Sequence, residues 1–229
     1  FKTIGFIRGE NYNPLNSTLQ FAVNCGMELH YLNRKTYKNR NDKNFQEELL
    51  QEFNDAYLVP EGGSNSFAVK GCAEIINDIN IDFDYICCAC GTGGTLAGIV
   101  AGLNDNNKAL GFSVLKSGGF LKEDVKNLIE SYNGKTYTNW DINLDYHFGG
   151  YAKINYELIS FINEFEKLNN IKLDLIYTGK LMFGIYDLLK TGFFKKNETI
   201  IAVHTGGLQG NEGMKKKIEK VLALHSSVS

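Results

Sequence analysis

The stretch from Asp84 to Leu103 constrains the chain more than any other. It reads as a short apolar run (Tyr85-Ile86-Cys87-Cys88-Ala89-Cys90), a knot of glycine and threonine (Gly91-Thr92-Gly93-Gly94-Thr95), and a second apolar run to Leu103. A continuous hydrophobic run this short predicts a central parallel strand covered on both faces. The knot and the second run then predict a loop and a helix. Gly91, Gly93 and Gly94 remove the side chains that would hold a ligand off the backbone. Thr92 and Thr95 add hydroxyls, and Thr95 is placed to cap the helix. Free N–H groups at a helix start attract anions, phosphate above all. Ala97, Gly98, Ala101 and Gly102 predict a helix lying close on the sheet. The competing reading is a tight packing turn without a ligand.

Two familiar phosphate loops are excluded residue by residue. The dinucleotide pattern G-x-G-x-x-G fails because Leu96 stands at its third glycine, and the next strand ends in Lys116 and Ser117 rather than a ribose-binding acid. The pattern G-x-x-x-x-G-K-[ST] fails because Ile99 follows Gly98. A small phosphate held by backbone and hydroxyl groups remains.

The rest of the chain alternates strand and helix. Strands are expected over 2–8, 27–32, 109–115, 173–177 and 199–203, with a brief one over 56–59 running into a turn at Pro60. Helices are expected over 17–25, 45–53, 67–78, 121–131, 154–168, 181–189 and 212–224, each with apolar residues at helical spacing. The tract 33–44 reads as a solvated loop, and 132–152 as a long aromatic loop ending in His147-Phe148-Gly149-Gly150-Tyr151. The βαβα order predicts an α/β fold of open parallel sheets flanked by helices, divided near Asp55 into a small domain over 1–55 and a larger one over 56–229. Ligands of such sheets sit at the carboxyl ends of strands. Gly91-Thr92-Gly93-Gly94-Thr95, Tyr177-Thr178-Gly179-Lys180 and His204-Thr205-Gly206-Gly207 are therefore expected to share one crevice.

Composition narrows the partners. A formal net charge of -2, with 24 basic and 26 acidic residues, gives no basis for binding nucleic acid or an anionic membrane. The run Lys215-Lys216-Lys217 reads as the solvated face of a helix. Three of the five cysteines lie in the predicted strand at 85–90, as packing thiols of a reducing compartment, and no metal-binding spacing is present. No signal or transmembrane run is visible, so a cytoplasmic setting is expected. His204 reads as a packed residue rather than a base, and Glu61 as a turn residue.

Five motifs together resemble a known family: Pro60-Glu61-Gly62-Gly63-Ser64-Asn65, the block from Gly91 to Leu103, Gly150-Tyr151, Tyr177-Thr178-Gly179-Lys180 and Val203-His204-Thr205-Gly206-Gly207. In this order they resemble the pyridoxal-phosphate enzymes of the tryptophan synthase β-subunit fold (fold type II). The branch is that of D-cysteine desulfhydrase and 1-aminocyclopropane-1-carboxylate deaminase. The resemblance implies that pyridoxal 5'-phosphate is bound by Gly91, Thr92, Gly93, Gly94 and Thr95 at its phosphate. Tyr177 would lie against the ring, with Thr178 beside it, and Thr205 and Gly206 near the ring nitrogen. Tyr151 and Tyr177 would be the catalytic tyrosines, acting on a small amino acid in a homodimer.

A hydroxyl rather than a carboxylate at the nitrogen implies a weaker electron sink, suited to prompt loss of a β-leaving group. The deaminase has glutamate after the ring tyrosine and the desulfhydrase-like members have threonine. Tyr177-Thr178 thus implies thiol elimination to a keto acid, ammonia and sulfide, with cyclopropane ring opening as the alternative. A noncatalytic phosphate-binding module is the alternative from another class. The family's Schiff-base lysine lies in a G-N-K motif and its substrate-side serine in S-N-H, and neither motif occurs here. The chain, opening on Phe1 in what reads as mid-sheet, is therefore expected to be an N-terminally incomplete and catalytically incomplete piece.

Overall fold

The structure, a computed structural model, describes residues 1–11, 13–53 and 55–226. It divides into two compact units, Phe1–Pro60 and Glu61–Ser229.

In the first unit β1 (Ile4–Arg8) pairs in parallel with β2 (Glu28–Leu32), Ile4 opposite Glu28 and Arg8 opposite Leu32. The connecting helix α1 (Ser17–Asn24) begins where the Asn16 side chain accepts the Leu19 N–H at 2.9 Å. The tract expected as a loop holds a one-turn helix, α2 (Arg34–Tyr37), because Asn33 caps it through the N–H groups of Lys35 and Thr36. Helix α3 (Lys43–Glu52) starts earlier than its apolar pattern, since Asp42 accepts from Phe45 N–H at 3.0 Å.

The second unit opens with a 3-10 turn at Glu61–Gly63; residues 56–59, expected as a strand, form none. Asn65 then caps α4 (Ser66–Ala73). The sheet has four parallel strands in the order β5-β4-β3-β6: β3 (Tyr85–Cys90), β4 (Lys108–Ser113), β5 (Trp140–Asn143) and β6 (Ile200–Ala202). Strand β5 lies inside the segment expected as a loop, where Trp140-Asp141-Ile142-Asn143 alternates apolar and polar residues.

Alternation along β3 explains its unbroken hydrophobicity. Ile86, Cys88 and Cys90 join a core with α5 (Gly94–Gly102) and α6 (Leu121–Asn133), whereas Cys87 joins Leu110 and Phe112 against α8 (Thr178–Lys190). Ile86, Cys87 and Cys88 are fully buried, and burying a side chain the size of isoleucine contributes roughly 1.5–3 kcal/mol. The five cysteines are free thiols, and burial pushes Cys87 up to about 12. On α6 the buried positions Leu121, Val125 and Ile129 recur every fourth residue, which places one stripe against the sheet.

Gly98 and Gly102 face α4 rather than the sheet. A Cβ on Gly98 would stand 2.8 Å from the Val69 carbonyl, and one on Gly102 2.5 Å from that of Ala73. The two glycines thus let α4 and α5 cross in near backbone contact. Helix α7 (Tyr156–Asn169) packs Leu158, Ile162 and Phe165 with Leu173 and Leu175 in a third cluster that reaches α9 (Lys215–Ser226). Among the described residues, no helix is long and apolar enough to cross a membrane, and no group of side chains is placed to hold a metal ion.

Candidate active site

The carboxyl edge of the sheet is shaped by the loop between β3 and α5. Gly93, at φ +83°, turns the chain through the left-handed region and forms the N-terminal boundary of α5, and without a side chain it cannot itself cap the helix's first N–H groups. Thr95, expected as the cap, sits instead inside the first turn, where its side chain is a hydrogen-bond partner of Cys72. A helix start leaves its first N–H groups without intrahelical acceptors, and here they are left to a ligand or solvent. Thr92 turns the other way, its Oγ1 2.6 Å from Ser64 Oγ. A Cβ on Gly62 would stand 2.5 Å from Thr92 Oγ1, and one on Gly94 2.9 Å from Ser64 Oγ. The Glu61–Asn65 segment therefore braces the loop, and both threonine hydroxyls are used within the protein.

Residues 173–177, expected as a strand, form a turn around one buried acid. Asp174, 1% exposed, accepts on Oδ1 from the N–H groups of Ile176 (2.8 Å) and Tyr177 (2.7 Å). On Oδ2 it accepts from the N–H (2.8 Å) and hydroxyl (2.6 Å) of Thr178. Its own N–H donates back to Thr178 Oγ1 at 2.9 Å. This double reciprocal pairing starts α8 at Thr178, three residues before the expected Leu181. It also commits the only proton of the Thr178 hydroxyl to Asp174.

The turn presents Tyr177 to the loop: a Cβ on Gly91 would stand 3.1 Å from the Tyr177 ring. Tyr151 meets Tyr177 edge to face, ring centroids 6.1 Å apart, and is itself 55% exposed. Burial, then the charge and hydrogen bond of Tyr151, push the Tyr177 phenol well above its ordinary value, so it keeps its proton. Gly91, Tyr177 and Tyr151 are thus contiguous. Thr205 and Gly206 follow β6; His204 Nδ1 accepts the Gly206 N–H at 3.1 Å while its Nε2 bonds the Lys172 carbonyl at 2.7 Å. Gly207, at φ +89°, brings this turn beside the Asp174 carboxylate. Thr205 itself is exposed.

Asp174 and Lys180 carry more of this edge than their sequence context announces. A lone acid in Leu173-Asp174-Leu175-Ile176, four residues ahead of a threonine, is the available sign of a cap. Lys180 is fully buried, its Nζ donating to the carbonyls of His147 (2.9 Å) and Gly150 (2.8 Å). Burial pulls its ammonium down to about 8, against the opposing charge of Asp174, with Lys217 adding to the fall.

A folded-state value below the ordinary 10.5 means that the unfolded chain binds more protons between pH 8 and 10.5. The contribution of Lys180 to stability therefore rises with pH across that window. Lys180→Met is expected to lose this rise: its stability deficit against the parent stays level below pH 8 and widens by up to about 3 kcal/mol by pH 10.5. Urea unfolding of the two proteins at a series of pH values measures it. Tyr177 and Cys87, shifted the other way, titrate in both proteins and cancel in the difference.

A parallel sheet with an uncapped helix start and a glycine-rich loop at its carboxyl edge places the chain in the α/β class that takes ligands there. Within that class the chain belongs to the pyridoxal-phosphate dependent enzyme family, whose model matches residues 16–206. It is 33% identical over 174 residues to a Pyrococcus horikoshii protein provisionally named 1-aminocyclopropane-1-carboxylate deaminase, covering 72% of this chain and 53% of the relative. It is 31% identical over 167 residues to the D-cysteine desulfhydrase of Klebsiella pneumoniae (strain 342), covering 66% of this chain and 50% of the relative. A crystal structure of an ACC deaminase homologue superposes with a TM-score of 0.80 at 28% identity, over 96% of this chain and 70% of that one. The chain spans about half the length of the curated relatives it matches.

Proposed function

We propose that this chain is the cofactor-holding part of a pyridoxal-phosphate enzyme that eliminates a thiol from a small amino acid such as D-cysteine. The observation that carries the choice of reaction is Thr178. In the ring-opening branch a glutamate follows the ring tyrosine. Here that position is 1% exposed and locked to Asp174 by both its N–H and its hydroxyl. A glutamate would have to bury a second carboxylate against the first, which costs several kcal/mol unless one is protonated.

The residues present fit the cofactor's phosphate. Gly93 and Gly94 are buried without side chains, and the α5 N–H groups beyond them lack a cap. In this reading residues 91–95 hold the phosphate through backbone N–H groups, with Thr92 and Thr95 shaping the loop, and Tyr177 with Thr178 and the turn at Thr205 and Gly206 bounds the ring. Pyridoxal phosphate, when bound, draws electron density from the substrate's α-carbon. Tyr177 keeps its proton on Oη across the working pH range. Tyr151, exposed beside it, faces the substrate and is placed to pass a proton to a departing group. The reading carries with it a homodimer in the cytoplasm.

Ring opening of 1-aminocyclopropane-1-carboxylate is the second reading, favoured by the name of the Pyrococcus relative. A release assay on full-length protein separates the two. Sulfide from D-cysteine is expected at a higher kcat/KM than 2-oxobutanoate from the cyclopropane acid. The reverse order would overturn the argument from Thr178. Protein that fails to bind pyridoxal phosphate at all would leave a noncatalytic module.

A further inference from the structure

The segment that carries Tyr151 has an unusual backbone. Phe148 (φ +53°), Gly149 (+95°), Gly150 (+119°) and Ala152 (+52°) all lie in the left-handed region, and two of them are not glycine. Such a path costs of order 1–3 kcal/mol at each non-glycine residue and persists only where its surroundings impose it. Two lysines from different helices meet this segment. Lys180, in the first turn of α8, donates to the carbonyls of His147 and Gly150, and Lys217 on α9 donates to that of Ala152 at 2.6 Å. The backbone's own contribution is short: Gly150 N–H to the His147 carbonyl and Lys153 N–H to that of Gly150, both at 3.0 Å, with Gly149 N–H on His147 Nδ1 at 2.8 Å. The sequence places Lys217 among three solvated lysines; in the structure it is half-buried, whereas Lys215 pairs with Glu212 at the surface.

We propose that Lys180 and Lys217 are positioning residues, a two-lysine clamp on the carbonyls of 147–152 that fixes Tyr151 against Tyr177. The geometry makes the clamp a single device. Tyr177 immediately precedes α8, and Lys180 stands three residues further on, so one helix start carries one tyrosine and grips the segment that carries the other. A charged donor on a carbonyl is about twice as strong as a neutral one. Two such grips flanking Tyr151 outweigh the preference of Phe148 and Ala152 for ordinary backbone. That the positioned ring serves substrate rests on the function proposed above; the clamp itself does not.

The test places 3-fluorotyrosine at position 151 and reads its ¹⁹F resonance in the parent, Lys180→Met, Lys217→Met and Lys217→Arg, with a label at Tyr146 as a second reporter. The expected result is one sharp Tyr151 resonance in the parent and in Lys217→Arg, which keeps a charged donor. In Lys217→Met and Lys180→Met that resonance is shifted or split while the Tyr146 label stays in place. An unchanged Tyr151 resonance in Lys217→Met, or a change that arises only together with Tyr146, would overturn the clamp. Because Lys217 is not fully buried, its variants decide the matter even where Lys180→Met fails to fold. Pyridoxal phosphate titrated into the same samples reports separately: a parent that binds none refutes the proposed function and leaves the ¹⁹F result standing.

Discussion

Gly93→Asp is expected to abolish measurable binding of pyridoxal phosphate, and Gly93→Ala shows how much of that loss is charge. Both substitutions carry the same backbone burden. Gly93 sits at φ +83°, where a side chain costs about 1–2 kcal/mol, and its Cβ would stand 2.6 Å from Val125 Cγ2. Crowding of that kind adds about 1–3 kcal/mol. Both variants should therefore lose stability, read from urea midpoints, and by unequal amounts, because aspartate also places a carboxylate at a buried position. Only aspartate adds an anion among the N–H groups at the start of α5. At roughly 5 Å and an effective dielectric of 20, like charges repel by about 3 kcal/mol, on the order of a hundredfold in affinity. Titration by absorbance should show that further loss in Gly93→Asp relative to Gly93→Ala. Equal affinities in the two variants would place the phosphate elsewhere.

Asp174→Ala is expected to be the most destabilising single change at the carboxyl edge. It removes the acceptor of three backbone N–H groups and one hydroxyl, in a turn where Asp174 is 1% exposed. An unsatisfied buried donor costs about 1–3 kcal/mol, and partial rescue by water brings the total to roughly 3–5 kcal/mol. Asp174→Asn should lie between. Its oxygen can still accept from Ile176 and Tyr177, but its NH2 then faces the donors of Thr178. Denaturant midpoints give the order parent, Asn, Ala. Near-ultraviolet circular dichroism should lose the tyrosine signal of the 151 and 177 pair before the fold is lost. A stability in Asp174→Ala within about 0.5 kcal/mol of the parent would show that the turn holds without its acid.

Legibility in the sequence depends on where local signals and tertiary structure agree. The run Tyr85 to Cys90 is strand in every residue, because a segment buried on both faces has no polar positions to blur its period. Its loop is legible as a turn, since Gly93 takes a left-handed φ of +83° that glycine favours, whereas the bonds of Thr92 and Thr95 to Ser64 and Cys72 depend on residues distant in sequence. The run Leu173 to Tyr177 misleads for the same reason: its hydrophobic residues are buried, but in the cluster with α7 and α9, and Asp174 bends the backbone away from any strand. Strand β5 escapes notice because its alternation, Trp140-Asp141-Ile142-Asn143, is only four residues long and lies among scattered aromatic and polar residues at the sheet edge. Thr95 reads as a cap, but the left-handed turn at Gly93 has already begun the helix. Lys180 and Lys217 are illegible. A buried cation on a main-chain carbonyl has no local signature, because its partners lie 30 to 65 residues away.

The sheet order β5-β4-β3-β6 also sets an order of assembly. Tyr85 pairs with Lys108 on one side and with Ile200 on the other. Closing the second chain segment, roughly five times the length of the first, costs about 1.4 kcal/mol more in loop entropy before any contact repays it. Strand β6 offers only three residues in return. The β3–β4 unit, with the glycine-threonine loop at its tip, is thus expected to stand early in folding, and the turn bearing Thr205 and Gly206 to join last. A chain released from synthesis thus holds the glycine-threonine loop before it holds the turn bearing Thr205 and Gly206.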